Sequence, residues 1–257
     1  MKVAAYQMPV DACYSTTAIE AIRDAVRACE LAQVALLCCP EAALGGLADY
    51  VDDPRTIALA VHGGGLARAL APLASATVTC VVGFTEVDEA GRLYNSAAVY
   101  EGGVVRGIYR KQHPAIRHSR YTAGTETPVF AVDGLRLGVL ICRDSTDAAL
   151  ATALVADGAQ LLVIPTNNAM PRDRGGPALV AEAHAIDQDY ATTLGVPVVR
   201  ADVVGEARGL WSAGASAITA AGGVRVGGVG PGMIGLLVGD ATVRPRRSPF
   251  VTDAAPH

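Results

Sequence analysis

Three residues that together could carry out nucleophilic chemistry each follow an apolar stretch of the sequence: Glu41, Lys111 and Cys142. The three stretches are typical of buried β-strands, and they span residues 34–39, 104–109 and 135–141. In open α/β sheets, functional sites lie beyond the carboxyl ends of the strands. The sequence therefore predicts that a carboxylate, an ammonium group and a thiol meet in one crevice.

The chemistry that such a trio allows is attack of a thiol on a carbonyl carbon. The carboxylate can accept the thiol proton and later return a proton to a leaving amine. The ammonium group, helped by the backbone N–H of Arg143, can stabilise the oxyanion of a tetrahedral intermediate. Taken singly, each residue also has a structural interpretation. A cysteine packs as a small apolar residue, Glu41 could cap a helix, and Lys111 could be an exposed loop lysine.

The predicted elements alternate between strands and helices, with antiparallel hairpins, which indicates a layered α/β sandwich. Cys142 lies between a strand and a helix predicted over residues 144–157, whose N-terminus would favour a thiolate. Further helices are predicted over residues 16–33, 54–61 and 177–193. This order delivers each candidate residue from a different strand.

Composition indicates a single compact α/β domain, since 257 residues can bury a large core and 51% of them are hydrophobic. The net charge of −4, without a long basic run, argues against nucleic acid or an anionic membrane as a partner. Six scattered cysteines show no metal-binding spacing, so we expect reduced cytoplasmic thiols, no metal and no cofactor. Neither a signal peptide nor a membrane-spanning run is evident.

Three motifs resemble those of the nitrilase superfamily, the carbon–nitrogen hydrolases. The motifs are Pro40-Glu41-Ala42, Tyr109-Arg110-Lys111-Gln112-His113 and Leu140-Ile141-Cys142-Arg143-Asp144. The resemblance covers residues 2–220 and implies a four-layer α-β-β-α sandwich with a catalytic triad of Glu41, Lys111 and Cys142. It also implies a homodimer or higher homo-oligomer, and the last 20 residues or so form a tail that could reach the dimer contact.

The sequence departs from the family pattern between the lysine and the cysteine. Many members carry a second glutamate there, but residues 115–124 contain no carboxylate. Glu126 and Asp144 are the candidates for its place.

Three further residues are predicted to bind the oxyanion or substrate: Arg143, His113 and Asn167. Two roles stay open for Arg143, recognition of a substrate carboxylate or an ion pair with Asp144 or Asp147. His113 could act as a base or pack the loop. Asn167 and Asn168 could line the pocket or hold a turn. Arg200 could place a positive charge either near the site or at a dimer contact.

The predicted function is hydrolysis of a non-peptide carbon–nitrogen bond in a small amide through an acyl-enzyme, with release of ammonia or an amine. Two alternatives stay open, and only the first uses the same three residues catalytically. One is hydrolysis of a nitrile or an N-carbamoyl group, and the other is a non-catalytic family member that acts as a binding or scaffold protein.

Overall fold

Two β-sheets pack face to face, with helices on both outer faces, in the computed structural model of the protein, which describes residues 1–243. Residues 244–257 lie outside the described residues, and they hold most of the predicted tail. The predicted tail begins inside the last strand, which continues to Asp240.

The structure contains fifteen strands and four α-helices within the described residues. The strands are β1 Lys2–Pro9, β2 Leu36–Cys38, β3 Leu59–Ala60, β4 Thr79–Val87, β5 Leu93–Glu101, β6 Val104–Arg110, β7 Val129–Val132, β8 Leu135–Val139, β9 Leu161–Pro165, β10 Val198–Ala201, β11 Val203–Ala207, β12 Leu210–Ser212, β13 Ala217–Thr219, β14 Arg225–Gly228 and β15 Gly235–Asp240. The helices are α1 Ala18–Leu31, α2 Gly65–Leu70, α3 Ala148–Ala156 and α4 Pro177–Thr193.

One sheet has nine strands and the other has six. The larger sheet runs β12-β11-β1-β2-β4-β5-β6, with β15 paired to β1 and β3 paired to β4. The smaller sheet runs β14-β13-β10-β9-β8-β7. The strands that precede Glu41 and Lys111 lie in the larger sheet, and the strand that precedes Cys142 lies in the smaller one. The candidate site is therefore assembled across the two sheets.

Alternation of side chains along each strand produces the four layers. In β9, Leu161 and Val163 point into the core between the sheets, while Leu162 packs against the layer of α3 and α4. In β1, Val3 faces the core between the sheets and Ala4 faces the layer of α1 and α2. Both sheets are thus buried on both faces, and the predicted α-β-β-α sandwich is confirmed.

Two predicted helices differ from the structure. Residues 54–61 form a 3₁₀ turn at Pro54–Thr56, followed by the short strand β3, so the predicted helix there is wrong. The segment is too short to offset the cost of helix nucleation. The helix predicted from residue 144 begins at Ala148, because Cys142–Thr146 forms a 3₁₀ helix and Asp147 caps α3 through the N–H of Ala149.

No helix within the described range is both long and apolar enough to cross a bilayer.

Candidate active site

Cys142 begins a strained turn, separated from the strand β8 by two residues, at the start of the 3₁₀ helix Cys142–Thr146. Its φ is +48°, in the left-handed region that non-glycine residues rarely adopt. Two hydrogen bonds hold the turn: Ser145 Oγ donates to the Cys142 carbonyl at 2.7 Å, and the Ile141 N–H donates to Asp144 at 3.2 Å. Of the six cysteines, five are buried and Cys142 alone is partly exposed. Strain of this kind often marks functional positions.

The Cys142 thiol is protonated at neutral pH in the free protein. Burial raises its pKa to about 12, and the charge of Glu41 adds to this, while Lys111 and the Asn167 N–H oppose it. The expected thiolate is therefore not the ground state. The N-terminus of α3 was expected to stabilise the thiolate. It does not lie next to the Cys142 sulfur, because α3 begins only at Ala148.

Glu41 and Lys111 form a buried ion pair. Lys111 Nζ donates to Glu41 Oε1 at 2.5 Å, and the two side chains are 3% and 2% exposed. Asn95 Nδ2 donates to the same oxygen at 2.7 Å. Burial lowers the pKa of Lys111, but the charge and hydrogen bond of Glu41 together with the charges of Cys142 and Asp144 outweigh it, and the net pKa rises to about 12. Lys111 therefore remains an ammonium group at neutral pH.

Close backbone contacts position the loop that carries Glu41. Glu41 N–H donates to the Thr166 carbonyl at 3.2 Å, which ties this loop of the larger sheet to β9 of the smaller sheet. A Cβ at Gly83 would lie 2.2 Å from the Pro40 carbonyl oxygen and 2.8 Å from Glu41 Cα. Only glycine allows β4 and the Glu41 loop to approach this closely.

Asp144 joins the loop at residues 111–113, here called the lysine loop, to the turn Cys142–Thr146, here called the nucleophile turn. It is fully buried and accepts hydrogen bonds from Tyr109 Oη at 2.8 Å and from the N–H groups of Gln112 at 3.2 Å and His113 at 2.8 Å. Burial raises the pKa of Asp144, although the nearby Lys111 charge opposes the rise. Of the two candidates for the missing carboxylate, Asp144 lies beside Lys111. Glu126 is exposed and lines a different cavity.

Two adjoining cavities open beside these residues. The first has a volume of about 210 Å³ and is lined by Cys142, Arg143, Asn168, Glu182 and Arg200, among others. The second has a volume of about 40 Å³ and is lined by Glu41, Asn95, Lys111 and Tyr121, among others. Both share Ala115, Asn167 and Met170 as wall residues. The thiol therefore faces the larger cavity, and the carboxylate–ammonium pair faces the smaller one.

Arg143 and Asn167 lie on these cavity walls, whereas His113 lies on neither. The His113 side chain is 41% exposed, and its Nε2 contacts Asp147 Oδ2 at 2.9 Å. Within residues 1–243, its ring therefore holds the start of α3, which matches the loop-packing alternative. The structure brings the other five predicted residues around the two cavities.

The two arginines near Cys142 are in opposite situations. Arg143 is exposed, and its side chain has no hydrogen bond or ion pair with any residue in the range 1–243. Arg200 is 2% exposed and bonds Asp187 through Nε and Nη2, with further hydrogen bonds to Thr166 and Ser145. Arg200 thus holds the nucleophile turn, and of the two arginines only Arg143 is free to meet a substrate.

Two contacts at the site escaped sequence reasoning. Asn95 lies on β5 and donates to Glu41, a contact that only the packed sheet brings about. Asp202 accepts from the backbone N–H of Asn168 at 3.0 Å and from its Nδ2 at 3.1 Å. This leaves Asn168 Oδ1 at 3.9 Å from the Cys142 sulfur.

No group of three His, Cys, Asp or Glu side chains in the described part of the chain is arranged to hold a metal ion. The candidate site is built instead from a thiol, an ion pair and amide groups.

Comparison with curated proteins finds relatives that match parts of this chain. The protein is 32% identical over 136 residues to "Hydrolase in pqqF 5'region" from Pseudomonas protegens, an alignment that covers 51% of this chain and 44% of the relative. It is 31% identical over 138 residues to an (R)-stereoselective amidase from a Pseudomonas species, covering 53% of this chain and 49% of the relative. The matched segments thus span less than half the length of these curated relatives.

Solved structures show the same fold. A carbon–nitrogen hydrolase from Helicobacter pylori superposes with a TM-score of 0.79 at 19% identity, covering 93% of this chain and 88% of the other. The NitN amidase from a Nesterenkonia species superposes with a TM-score of 0.74 at 21% identity, covering 94% and 93%. A family model described as carbon–nitrogen hydrolase matches residues 2–245. On that match over nearly the whole chain, the protein belongs to the carbon–nitrogen hydrolase family.

Proposed function

We propose that the protein is a thiol hydrolase that cleaves a non-peptide carbon–nitrogen bond of a small amide. The observation that carries the proposal is the buried 2.5 Å ion pair between Glu41 and Lys111. The cavity that this pair lines adjoins the cavity lined by Cys142, a partly exposed cysteine on a strained turn. A buried ion pair is costly to assemble and is weak evidence for stability alone. Its position beside a thiol supports a catalytic role.

The residues divide the reaction into two halves. Cys142 Sγ attacks the amide carbonyl while Glu41 accepts the thiol proton, and Lys111 with the Arg143 backbone N–H stabilises the oxyanion. The carbon–nitrogen bond breaks, and Glu41 passes the proton to the departing ammonia or amine. Because the thiol pKa is raised to about 12, the resting thiol is protonated and Glu41 has to take its proton for attack to occur. Water that Glu41 activates then cleaves the thioester and releases a carboxylic acid.

The charged groups of the larger cavity support an amide that carries its own charges. Arg143 and Glu182 both line this cavity, and neither side chain has a hydrogen bond or ion pair within residues 1–243. A guanidinium group suits a carboxylate and a carboxylate suits an ammonium group. An amino-acid amide offers both. One relative, 29% identical over 194 residues, is a glutamine-dependent NAD⁺ synthetase from Xanthomonas campestris, of which the match covers 31%.

Release of ammonia from a panel of small amides, with and without a carboxylate, tests the proposal. We expect wild-type protein to hydrolyse at least one of them, and Cys142→Ala and Glu41→Gln to lose activity by at least a thousandfold while keeping their fold by circular dichroism. If Cys142→Ala hydrolyses the same amide at the wild-type rate, the assignment fails.

Two other readouts separate the alternatives. Nitriles and N-carbamoyl compounds in the same panel, with products identified by mass spectrometry, distinguish those activities from amide hydrolysis. A protein with no turnover and no covalent adduct at Cys142 would instead act as a binding or scaffold member of the family.

A further inference from the structure

Two residues that line the smaller cavity each carry a buried amide atom with no hydrogen-bond partner in the described residues. Asn95 Oδ1 is an acceptor without a donor, and Asn167 Nδ2 is a donor without an acceptor. The two side chains are 3% and 6% exposed. Buried polar atoms nearly always have a hydrogen-bond partner. An acceptor and a donor that both lack one, around one cavity, therefore indicate that a polar molecule binds there.

Neighbouring hydrogen bonds determine which atom of each amide is left over. Asn95 Nδ2 donates to Glu41 Oε1 at 2.7 Å, so its Oδ1 is the free end. Asn167 Oδ1 accepts from the Ala169 N–H at 3.2 Å, so its Nδ2 is the free end. Glu41 contributes a third group, because Oε1 receives both Lys111 and Asn95 while Oε2 receives no hydrogen bond from residues 1–243.

The volume of the smaller cavity indicates that the bound molecule is a water. This volume of about 40 Å³ exceeds the roughly 10–15 Å³ that one water needs, and it is far below the larger cavity of about 210 Å³. Ordered waters make about two to four hydrogen bonds, and this cavity offers an acceptor, a donor and a free carboxylate oxygen. The body of an amide substrate therefore fits the larger cavity, and the smaller cavity has room for a water beside Glu41 and Lys111.

We propose that Asn95 and Asn167 hold the hydrolytic water beside Glu41, in place of the second glutamate that the chain lacks; this inference rests on the proposed function. The water donates to Asn95 Oδ1 and accepts from Asn167 Nδ2, and its second proton faces Glu41 Oε2. When the acyl group is on Cys142, the water oxygen bonds to the thioester carbon and Glu41 takes that second proton. The carbon–sulfur bond then breaks, the sulfur recovers the proton from Glu41, and a carboxylic acid leaves.

The test separates acylation from deacylation with p-nitrophenyl acetate as the probe. The burst of nitrophenolate reports acylation of Cys142, and the steady-state rate reports cleavage of the acetyl-enzyme by water. Asn167→Leu removes the donor at similar volume, and Asn167→Asp replaces the donor with an acceptor. We expect both variants to keep a burst within about twofold of wild type and to lose steady-state rate by roughly tenfold, as for a lost hydrogen bond. Their acetyl adduct should accumulate in intact mass spectra.

Other outcomes overturn the assignment. If burst and steady-state rates fall together, Asn167 supports the site only structurally, and if neither falls, it does not hold the water. Hydroxylamine, which attacks the thioester without that water, should restore turnover in Asn167→Leu. A burst that survives in Cys142→Ala, or wild-type turnover of the probe that Cys142→Ala keeps unchanged, refutes the proposed function instead and removes the inference with it.

Discussion

At the scale of single residues, burial of the sulfur decides how Cys142 behaves. A thiol with a pKa of about 12 is almost wholly protonated at pH 7, so it is a poor nucleophile until a base acts on it. In the proposed reaction, the Glu41 carboxylate must therefore take the thiol proton before or during attack. A protonated thiol also reacts slowly with alkylating agents in the free protein.

The rate of alkylation by iodoacetamide measures how reactive the Cys142 thiol is in the free protein. Cys142 should react ahead of the other five thiols because it alone is partly exposed. Its rate constant should rise about tenfold per pH unit from pH 7 to pH 10, because thiolate increases tenfold per unit at any pH well below the pKa. Cys142→Ser should lose the leading phase. A plateau reached below pH 9 would contradict the raised pKa.

Arg143 is the residue through which we expect the substrate's charge to be recognised. Arg143→Gln should lower kcat/KM for a carboxylate-bearing amide by roughly tenfold relative to a neutral amide of the same shape, as for a partly exposed charge-assisted hydrogen bond. Arg27→Gln, on the exposed face of α1, is the matched control. Equal losses on both amides would assign Arg143 a structural role.

At the scale of elements, the close approach of β4 to the Glu41 loop depends on Gly83. We expect Gly83→Ala to lower the free energy of unfolding by about 1–3 kcal/mol and to lower hydrolysis, because its Cβ would overlap the Pro40 carbonyl. Gly235→Ala is the control, since its Cβ would meet nothing nearer than Val229 Cγ1 at 3.8 Å. Comparable urea denaturation curves and activities for the two variants would refute this account.

The helix α4 is tied to β10 by the buried pair of Asp187 and Arg200, which also reaches the nucleophile turn through Ser145. Breaking such a pair leaves one buried charge uncompensated. Either Asp187→Leu or Arg200→Met should therefore cost about 3–5 kcal/mol of unfolding free energy. The double variant should cost clearly less than the sum of the two, which urea denaturation of all three can determine. Strict additivity would mean that the two charges do not interact.

At the scale of the whole molecule, exposed apolar side chains gather near the end of the described chain. Of the eight large hydrophobic side chains that are exposed within residues 1–243, five lie between Val224 and Val238, including Met233 at 60% and Ile234 at 59%. Apolar clusters of this kind often mark contacts between proteins. We therefore place the expected homodimer contact on this segment.

Sedimentation velocity tests the dimer proposal. Wild-type protein should sediment as a dimer at micromolar concentration, and Ile234→Glu should shift it towards monomer. Leu31→Glu, on α1, is the control because Leu31 is 89% exposed but lies outside the segment. A wild-type monomer would contradict the proposal, as would a dimer that Ile234→Glu leaves intact.

Much of the architecture could be derived from the sequence because side-chain alternation is a local property. The apolar runs before Glu41, Lys111 and Cys142 predicted strands, and α4 was predicted with the bounds that the structure shows, Pro177–Thr193. Residues 54–61 were misjudged because helix nucleation fails in so short a segment. The catalytic roles of the three residues stay a prediction.

The sequence by itself determined which residues lie at the strand ends and, through its motifs, to which family the chain belongs. Only the tertiary structure decided how those residues meet: Asn95 bonds Glu41 across 54 positions of chain, and Asp144 bonds the lysine loop across 31 and 32. The protonation of Cys142 and the division into two cavities also depend on the packed structure. Desolvation and enclosed volume are properties of surroundings that distant segments supply, so a local pattern cannot encode them.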